Sequence, residues 1–236
     1  MLHMPPVAVL AGGLGTRLYP VTKTIPKNLI EVAGKPFVAH QLELFARRGI
    51  QEVVFCLGYL GEQVEEYVGD GNRFGLSVRY SYDGAALRGT GGAIRQALSL
   101  LGPDFLVTYG DSYLNVPYDA IIEVFRERAL DALMTVYRNE GAWDTSNVEY
   151  EGGWVRVYDK KNLTPRMCHI DYGLLVLRQE VFVGWEDREA FDLSDLLSPM
   201  AASGKLAGFE TTFRFYEIGS RQGISDFEAY LGSASL

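Results

Sequence analysis

Val7 to Pro36 reads VAVLAGGLGTRLYPVTKTIPKNLIEVAGKP, an apolar run that passes directly into a glycine-rich turn and then into Arg17, Lys23 and Lys27. The run predicts a buried strand over 7–11. Gly12, Gly13 and Gly15 carry no Cβ, so the chain beyond the strand can adopt positive φ and bring several backbone N–H groups up to phosphate oxygens. Arg17 adds a planar fork of donors and the lysines add point charges, which together predict a cradle for an anionic, phosphorylated ligand. Spacing excludes two familiar glycine loops. A dinucleotide fingerprint starting at Gly13 needs glycine where Leu18 stands, and the Gly-Lys-Ser/Thr of a P-loop is absent from the chain.

The chain has 236 residues, of which 47% are hydrophobic, enough to bury a full core as one large domain. A formal net charge of −8 disfavours a nucleic-acid or anionic-membrane surface, because a polyanion is repelled on average. A local basic pocket in an acidic protein instead suits a small anion. No stretch approaches a membrane span, and MLHMPPVAVLAGG lacks the basic n-region of a secretory signal, so we expect a cytoplasmic protein. Of the two cysteines, Cys56 lies in the apolar run EVVFCLG and reads as core. Cys168 beside His169 is a weak metal signal without further ligands. His40 falls on the predicted helix KPFVAHQLELFARRG and reads as a boundary residue rather than a catalyst.

Periodicity alternates strand and helix through the first half: helix 36–48, strand 52–57, helix 61–68, strand 77–82, helix 90–101, strand 104–109, helix 118–129 and strand 131–138. That order predicts an α/β fold, a Rossmann-like three-layer arrangement with a mainly parallel sheet flanked by helices. After Arg138 the texture changes to a hairpin around Glu151-Gly152-Gly153 and a strand in DYGLLVLR. A helix near 193–203, strands near 206–210 and 213–218, and a helix at 221–231 follow. We therefore expect one domain over 1–236, with a nucleotide-binding half to about residue 138 and a smaller β-rich acceptor half from about 139.

Asp111 follows the apolar strand DFLVTYG and Glu217 ends FRFYEIG, so both carboxylates should emerge at strand ends, where open α/β sheets form their crevices. Two carboxylates without histidine partners suit a hard, oxygen-preferring ion such as Mg²⁺, which arrives with substrate phosphates. A second glycine cluster, Arg88-Gly89-Thr90-Gly91-Gly92-Ala93-Ile94, opens a helix and lets a base or ribose approach the backbone. Asp83 just upstream offers carboxylate oxygens to base N–H donors. Asp159-Lys160 supplies a distant cationic point. Asp171, in a strand flanked by apolar residues, needs polar partners, for which sugar hydroxyls are suitable.

These motifs, taken in order, closely resemble the sugar-1-phosphate nucleotidylyltransferases, or nucleoside-diphosphate-sugar pyrophosphorylases. The resemblance rests on Ala11-Gly12-Gly13-Leu14-Gly15-Thr16-Arg17-Leu18, Pro26-Lys27-Asn28-Leu29, Gly34-Lys35-Pro36, Gly89-Thr90-Gly91-Gly92-Ala93, Gly110-Asp111, Asp159-Lys160 and Glu217-Ile218-Gly219. It implies an enzyme that transfers a nucleoside monophosphate from an NTP to a sugar 1-phosphate with Mg²⁺, and it leaves homo-oligomerisation open. It also implies that Leu10 to Gly13, Gly15, Thr16, Arg17, Asp83, Gly89 and Thr90 bind the nucleotide, with Arg17, Lys27 and Asp111 catalytic. Asp111 and Glu217 would hold the metal, and Asp159, Lys160, Asp171, Tyr172 and Gly173 the sugar phosphate.

Several positions depart from the family pattern. Asn28 stands where proline is usual, Glu217 and Asp171 where aspartate and asparagine are usual, and Asp159 where glutamate is usual. No repeat-built segment follows the last helix, so the short members are the nearest comparison: heptose or mannose 1-phosphate guanylyltransferases and amino-sugar 1-phosphate uridylyltransferases. Asp83 can accept from both N1–H and the 2-amino group of guanine, which favours GTP, although a carboxylate also suits uracil N3–H and hence UTP. Two alternatives stay open: a regulatory subunit with impaired catalysis, suggested by Glu217, and a phosphorylated polyol or choline as acceptor.

Overall fold

The computed structural model describes residues 3–234. In chain order the elements are β1 (Val7–Ala11), β2 (Glu31–Val32), β3 (Lys35–Pro36), α1 (Phe37–Arg47), β4 (Glu52–Leu57), α2 (Gly61–Val68), β5 (Ser77–Tyr82), α3 (Gly89–Ala97), β6 (Asp104–Tyr109), β7 (Ser112–Tyr113), α4 (Tyr118–Glu127), β8 (Ala132–Arg138), β9 (Val148–Glu151), β10 (Trp154–Tyr158), β11 (His169–Arg178), α5 (Leu193–Ala202), β12 (Ala207–Thr211), β13 (Tyr216–Glu217) and α6 (Arg221–Ala234).

Nine strands form one sheet in the order β5-β4-β1-β6-β11-β8-β12-β10-β9. Alternation along the strands decides which face each side chain enters. Val7 and Val9 of β1, with Val53, Phe55 and Leu57 of β4, pack on α1, α2 and α4 through Leu42, Val64 and Ile121. The intervening Ala8, Val54 and Cys56 pack on α3 and α5 through Ile94 and Leu196. These are the three layers expected. Each fully buried Val, Leu, Ile or Phe contributes about 1.5–3 kcal/mol, so the two faces carry most of the fold's stability.

The pairing is more mixed than the alternating pattern implied. β5, β4, β1 and β6 run parallel, and so do β8 and β12, but β11 lies antiparallel between β6 and β8. A strand from beyond residue 139 thus lies in the sheet between two earlier ones. The strand expected over 213–218 shortens to Tyr216–Glu217, paired with Ser112 and Tyr113 of β7 outside the main sheet. Tyr216 and Ile218 serve a third cluster in which Phe227 of α6 packs on Phe37 and Tyr113, while Phe215 packs on the first cluster and Phe213 is exposed. The helix expected over 90–101 ends at Ala97 and continues as a 3-10 turn over Leu98–Leu100. His40 is buried rather than at a boundary. Its Nε2 lies 2.8 Å from the Val32 carbonyl, an acceptor only, so Nε2 donates, and burial holds the ring's pKa below the ordinary value.

Candidate active site

A cleft of about 260 Å³ opens at the C-terminal ends of β1 and β6, lined by Leu10 to Gly13, Lys27, Asn28, Asp83, Leu87, Gly89, Thr90, Tyr109 to Asp111 and Asp192. Strand ends at a crossover point are where α/β sheets leave room for ligands. Gly13 faces open space, with nothing within 4 Å of where a Cβ would stand. Gly12 is closer set: a Cβ there would lie 3.2 Å from the Gly58 nitrogen and 3.3 Å from Asp83 Oδ2. Gly15 has φ of +62° and turns the chain into a short 3-10 helix over Thr16–Leu18, its carbonyl accepting from Thr22 Oγ1 at 2.8 Å. Gly15, Thr16 and Arg17 do not line this cleft; Arg17 reaches instead toward Gly219, where a Cβ would lie 3.3 Å from its Nη2.

Lys27 and Asp111 form an ion pair inside the cleft, with about a fifth of each side chain exposed at 19% and 22%. The two residues, 84 apart in the chain and expected to face a transferred phosphoryl group and a metal, face each other here. Asp83 is buried, its Oδ2 accepting from the Arg88 N–H at 3.3 Å while Arg88 Nε donates to its carbonyl at 2.8 Å. Burial raises the Asp83 carboxyl above its usual pKa, against the opposing pull of the Arg88 N–H and charge. It also pushes the Cys56 thiol below it up to about 12, which makes that cysteine an inert wall residue.

The glycines of the second cluster also serve the packing of the chain on itself. The N–H groups of Gly91 and Gly92 donate to the Phe191 carbonyl at 2.9 and 3.1 Å, and Thr90 Oγ1 accepts from the Leu193 N–H at 2.8 Å. A Cβ on Gly89 would lie 2.6 Å from the Phe191 carbonyl oxygen, and one on Gly91 would collide with the Phe191 ring. These glycines let the segment before α5 press against α3. Gly89 and Thr90 border the cleft, but the helix N-terminus is occupied by the protein itself.

A second cavity of about 320 Å³ is lined by Tyr109, Asp144, Thr145, Asn147, Lys160, Leu163 and Asp171. Tyr109 borders both cavities, and burial followed by the charges of Asp171, Asp111 and Asp192 raises its hydroxyl well above the ordinary value. Asp171, half-buried, receives the Tyr158 hydroxyl at 3.0 Å and the Gly173 N–H at 3.0 Å, the polar partners expected of a carboxylate in an apolar strand. Gly173, at φ of +95°, leaves room for the Tyr109 ring, 3.4 Å from where its Cβ would be. Asp159 and Tyr172 do not join this cavity. Asp159 caps its own turn through the N–H groups of Lys161 and Asn162, at 2.7 and 2.9 Å. Tyr172 is buried among the aromatics Tyr137 and Phe215.

Glu217 pairs in register with Ser112, and the Ile218 N–H donates to the Asp111 carbonyl at 3.0 Å, so both predicted metal carboxylates start from adjoining backbone. The Glu217 side chain curls back, Oε2 accepting from the Gly219 N–H at 2.8 Å and Oε1 from Ser220 Oγ at 3.3 Å. Among the described residues no group of three or more histidine, cysteine or acidic side chains is arranged to hold a metal. Sequence reasoning missed Asp192 and Tyr109. Asp192 carries a visible signal, a capping box with Asp195 at the start of α5. Its arrival beside Thr90 depends on the Gly91–Phe191 contact, which spacing does not reveal.

A Rossmann-like α/β sheet with a glycine-rich turn bordering a cleft at its strand ends defines a nucleotidyltransferase-type fold. The chain belongs to the nucleotidyl transferase family, whose model (NTP_transferase) matches residues 7–147. It is 40% identical over 116 residues to an N-acetylmuramate alpha-1-phosphate uridylyltransferase of Neisseria meningitidis, a match covering 49% of this chain and 50% of that one. It is 28% identical to a D-glycero-alpha-D-manno-heptose 1-phosphate guanylyltransferase of Campylobacter jejuni, over 80% of this chain and 83% of the relative. The chain spans half to three-fifths of the length of the leading relatives that it matches. In structure it resembles HddC from Yersinia pseudotuberculosis, solved with GMP-PN, at a TM-score of 0.81 and 24% identity. That likeness covers 97% of this chain and 100% of the other, and it supports the fold. No helix among the described residues is long and apolar enough to cross a membrane.

Proposed function

We propose that the protein transfers a nucleoside monophosphate from an NTP to a sugar 1-phosphate, releasing pyrophosphate. One observation carries this reading: a lysine–aspartate pair, Lys27 and Asp111, lines a glycine-bordered cavity that shares Tyr109 as a wall residue with a second, Lys160-bearing cavity. Two anions can be accommodated on either side of a charged centre. A phosphate oxygen of the sugar 1-phosphate attacks the α-phosphorus, a new P–O bond forms, and the bond to pyrophosphate breaks with its electron pair leaving on the pyrophosphate oxygen. The attacking phosphate is already ionised at neutral pH, so no protein base is required, and positioning and charge neutralisation supply the catalysis.

In this reading the backbone of Leu10 to Gly13 cradles the triphosphate and Arg17 reaches its outer end. Lys27 turns from Asp111 to the transferred phosphoryl group, and Lys160 holds the sugar phosphate. Asp111 and Glu217 fit Mg²⁺ by donor chemistry, being oxygen ligands with lone pairs to spare beyond their present hydrogen bonds; when bound, the ion neutralises phosphate charge. Asp83, recessed in the cleft with an oxygen close to Gly12, favours a base with two adjacent N–H donors, which makes GTP with a heptose or mannose 1-phosphate the leading pair. The 40% identity to a uridylyltransferase over 116 residues supports a UTP-dependent alternative. We place the reaction in the cytoplasm. The test is incubation with each NTP, Mg²⁺ and a panel of sugar 1-phosphates while pyrophosphate is followed; silence across the panel overturns the assignment. Binding without turnover, restored in Glu217→Asp, would identify a regulatory subunit instead.

A further inference from the structure

Beside the two cavities lies a third, of about 550 Å³, walled by Ala142, Trp143, Arg214, Tyr216, Glu217 and Asp226. It adjoins the proposed reaction centre in two ways. Glu217 stands in its wall next to the backbone of Asp111, and the loop that brings Trp143 to it brings Asp144, Thr145 and Asn147 to the Lys160 cavity. Its chemistry is specific. The Arg214 guanidinium is held against Trp143, 3.9 Å from the ring centroid, and over Tyr216 at 4.9 Å, while Nη2 donates to Asp226 Oδ2 at 2.5 Å. Gln222 Nε2 holds the other oxygen of Asp226 at 2.7 Å, and that hydrogen bond, followed by the contact with Arg214, keeps the carboxyl below its usual pKa and therefore ionised. The Trp143 ring is half exposed, at 50%.

An aromatic face beside a guanidinium whose charge is already matched offers stacking area and N–H donors without net positive charge. We propose that this cavity receives the end of the sugar remote from its phosphate, and that the Arg214–Asp226 pair selects a neutral, polyhydroxylated sugar over one bearing a carboxylate. The inference rests on the sugar 1-phosphate reading above and deepens it. Hydroxyls can accept from Arg214 and donate to Asp226, while the C–H face of the ring lies on Trp143. A carboxylate placed there would meet Asp226 as a like charge and would have to displace it from Arg214.

The experiment compares initial rates with mannose 1-phosphate, glucose 1-phosphate, glucuronate 1-phosphate and N-acetylmuramate 1-phosphate, at saturating levels of the NTP that the wild type uses. Wild type is expected to prefer the neutral sugars. Trp143→Ala should raise KM for the sugar 1-phosphate roughly tenfold, with KM for the NTP unchanged. Asp226→Asn removes the negative charge with little change of shape, and should shift the kcat/KM ratio roughly tenfold toward the acidic sugars. Melting curves for both variants confirm that the fold is retained. An active wild type that prefers acidic sugars, or variants that leave the sugar KM and the kcat/KM ratio unchanged, overturns this inference alone. A wild type silent with every sugar and NTP overturns the sugar 1-phosphate reading and this inference with it.

Discussion

The two glycine-rich turns, Ala11-Gly12-Gly13-Leu14-Gly15 and Gly89-Thr90-Gly91-Gly92, look alike in composition and behave oppositely in space. In the first, Gly13 faces open space and the backbone borders the cleft. In the second, the missing side chains make room for Phe191, and the free N–H groups of Gly91 and Gly92 are closed off by its carbonyl. A glycine run therefore states only that something approaches closely. What approaches, a ligand or the chain itself, is decided by which segment the fold delivers to that point.

The contrast can be broken most sharply at its catalytic end. Lys27→Ala and Asp111→Ala should each lower turnover by roughly 10²- to 10³-fold, measured by pyrophosphate release, with circular dichroism unchanged. Near-wild-type rates in either would remove the first turn from the chemistry. A paired substitution tests the glycines themselves. Gly91→Ala drives a methyl into the Phe191 ring and should cost about 1–3 kcal/mol in denaturant unfolding, because overpacked cores must shift backbone. Gly13→Ala should leave stability within about 0.5 kcal/mol and lower activity instead. Similar stability losses in both would erase the distinction.

Asp83 sharpens the comparison from beneath the first turn. Asp83→Asn should reduce kcat/KM with the preferred NTP roughly tenfold or more, since a buried acceptor becomes in part a donor. The same change should raise the melting temperature at neutral pH. The wild-type carboxyl titrates above its unfolded value, so its ionised form costs stability at neutral pH, and the gain should fade in acid as that carboxyl becomes neutral. The smallest expected effect concerns His40, which ties Val32 to α1 behind the Lys27 segment. Its folded pKa is lowered, so the unfolded chain binds the extra proton, and stability should decline as pH falls through the ordinary histidine range. A melting series of His40→Gln against wild type should lack that component.

Much of the fold was legible because its elements are strongly periodic. The β1, β4, β5 and β6 strands and the α1, α2 and α4 helices lie where alternation and helical spacing put them, give or take a residue or two at the ends. The reading failed where tertiary contacts outweigh local pattern. FRFYEI alternates like a strand, yet Arg214 engages Asp226 and Trp143, and only Tyr216 and Glu217 find a partner strand. Within the site, Lys27 and Asp111 were found by motif and do meet, and Lys160 and Asp171 share a cavity. Asp159 and Tyr172 sit beside members of that cavity in sequence but are directed elsewhere, one into a turn and the other into the core. Adjacency along a strand or turn cannot say which way a side chain faces once a bulge intervenes, and β11 carries a register shift between Asp171 and Leu175.

The position of β11 has a consequence for how the molecule is made. β6 and β8 are neighbours of β11 rather than of each other, so a growing chain that has emerged only as far as Arg138 holds two strands whose facing edges are both unpaired. Such edges recruit other strands, and long-range pairings form late. The gap between β6 and β8 fills only when residues 169–178 arrive, and the cleft's Asp192 wall and β12, which joins β8 to β10, come later still. Synthesis truncated shortly before His169 should therefore yield a species that aggregates, with the phosphate cradle already present in sequence and no finished sheet to hold it.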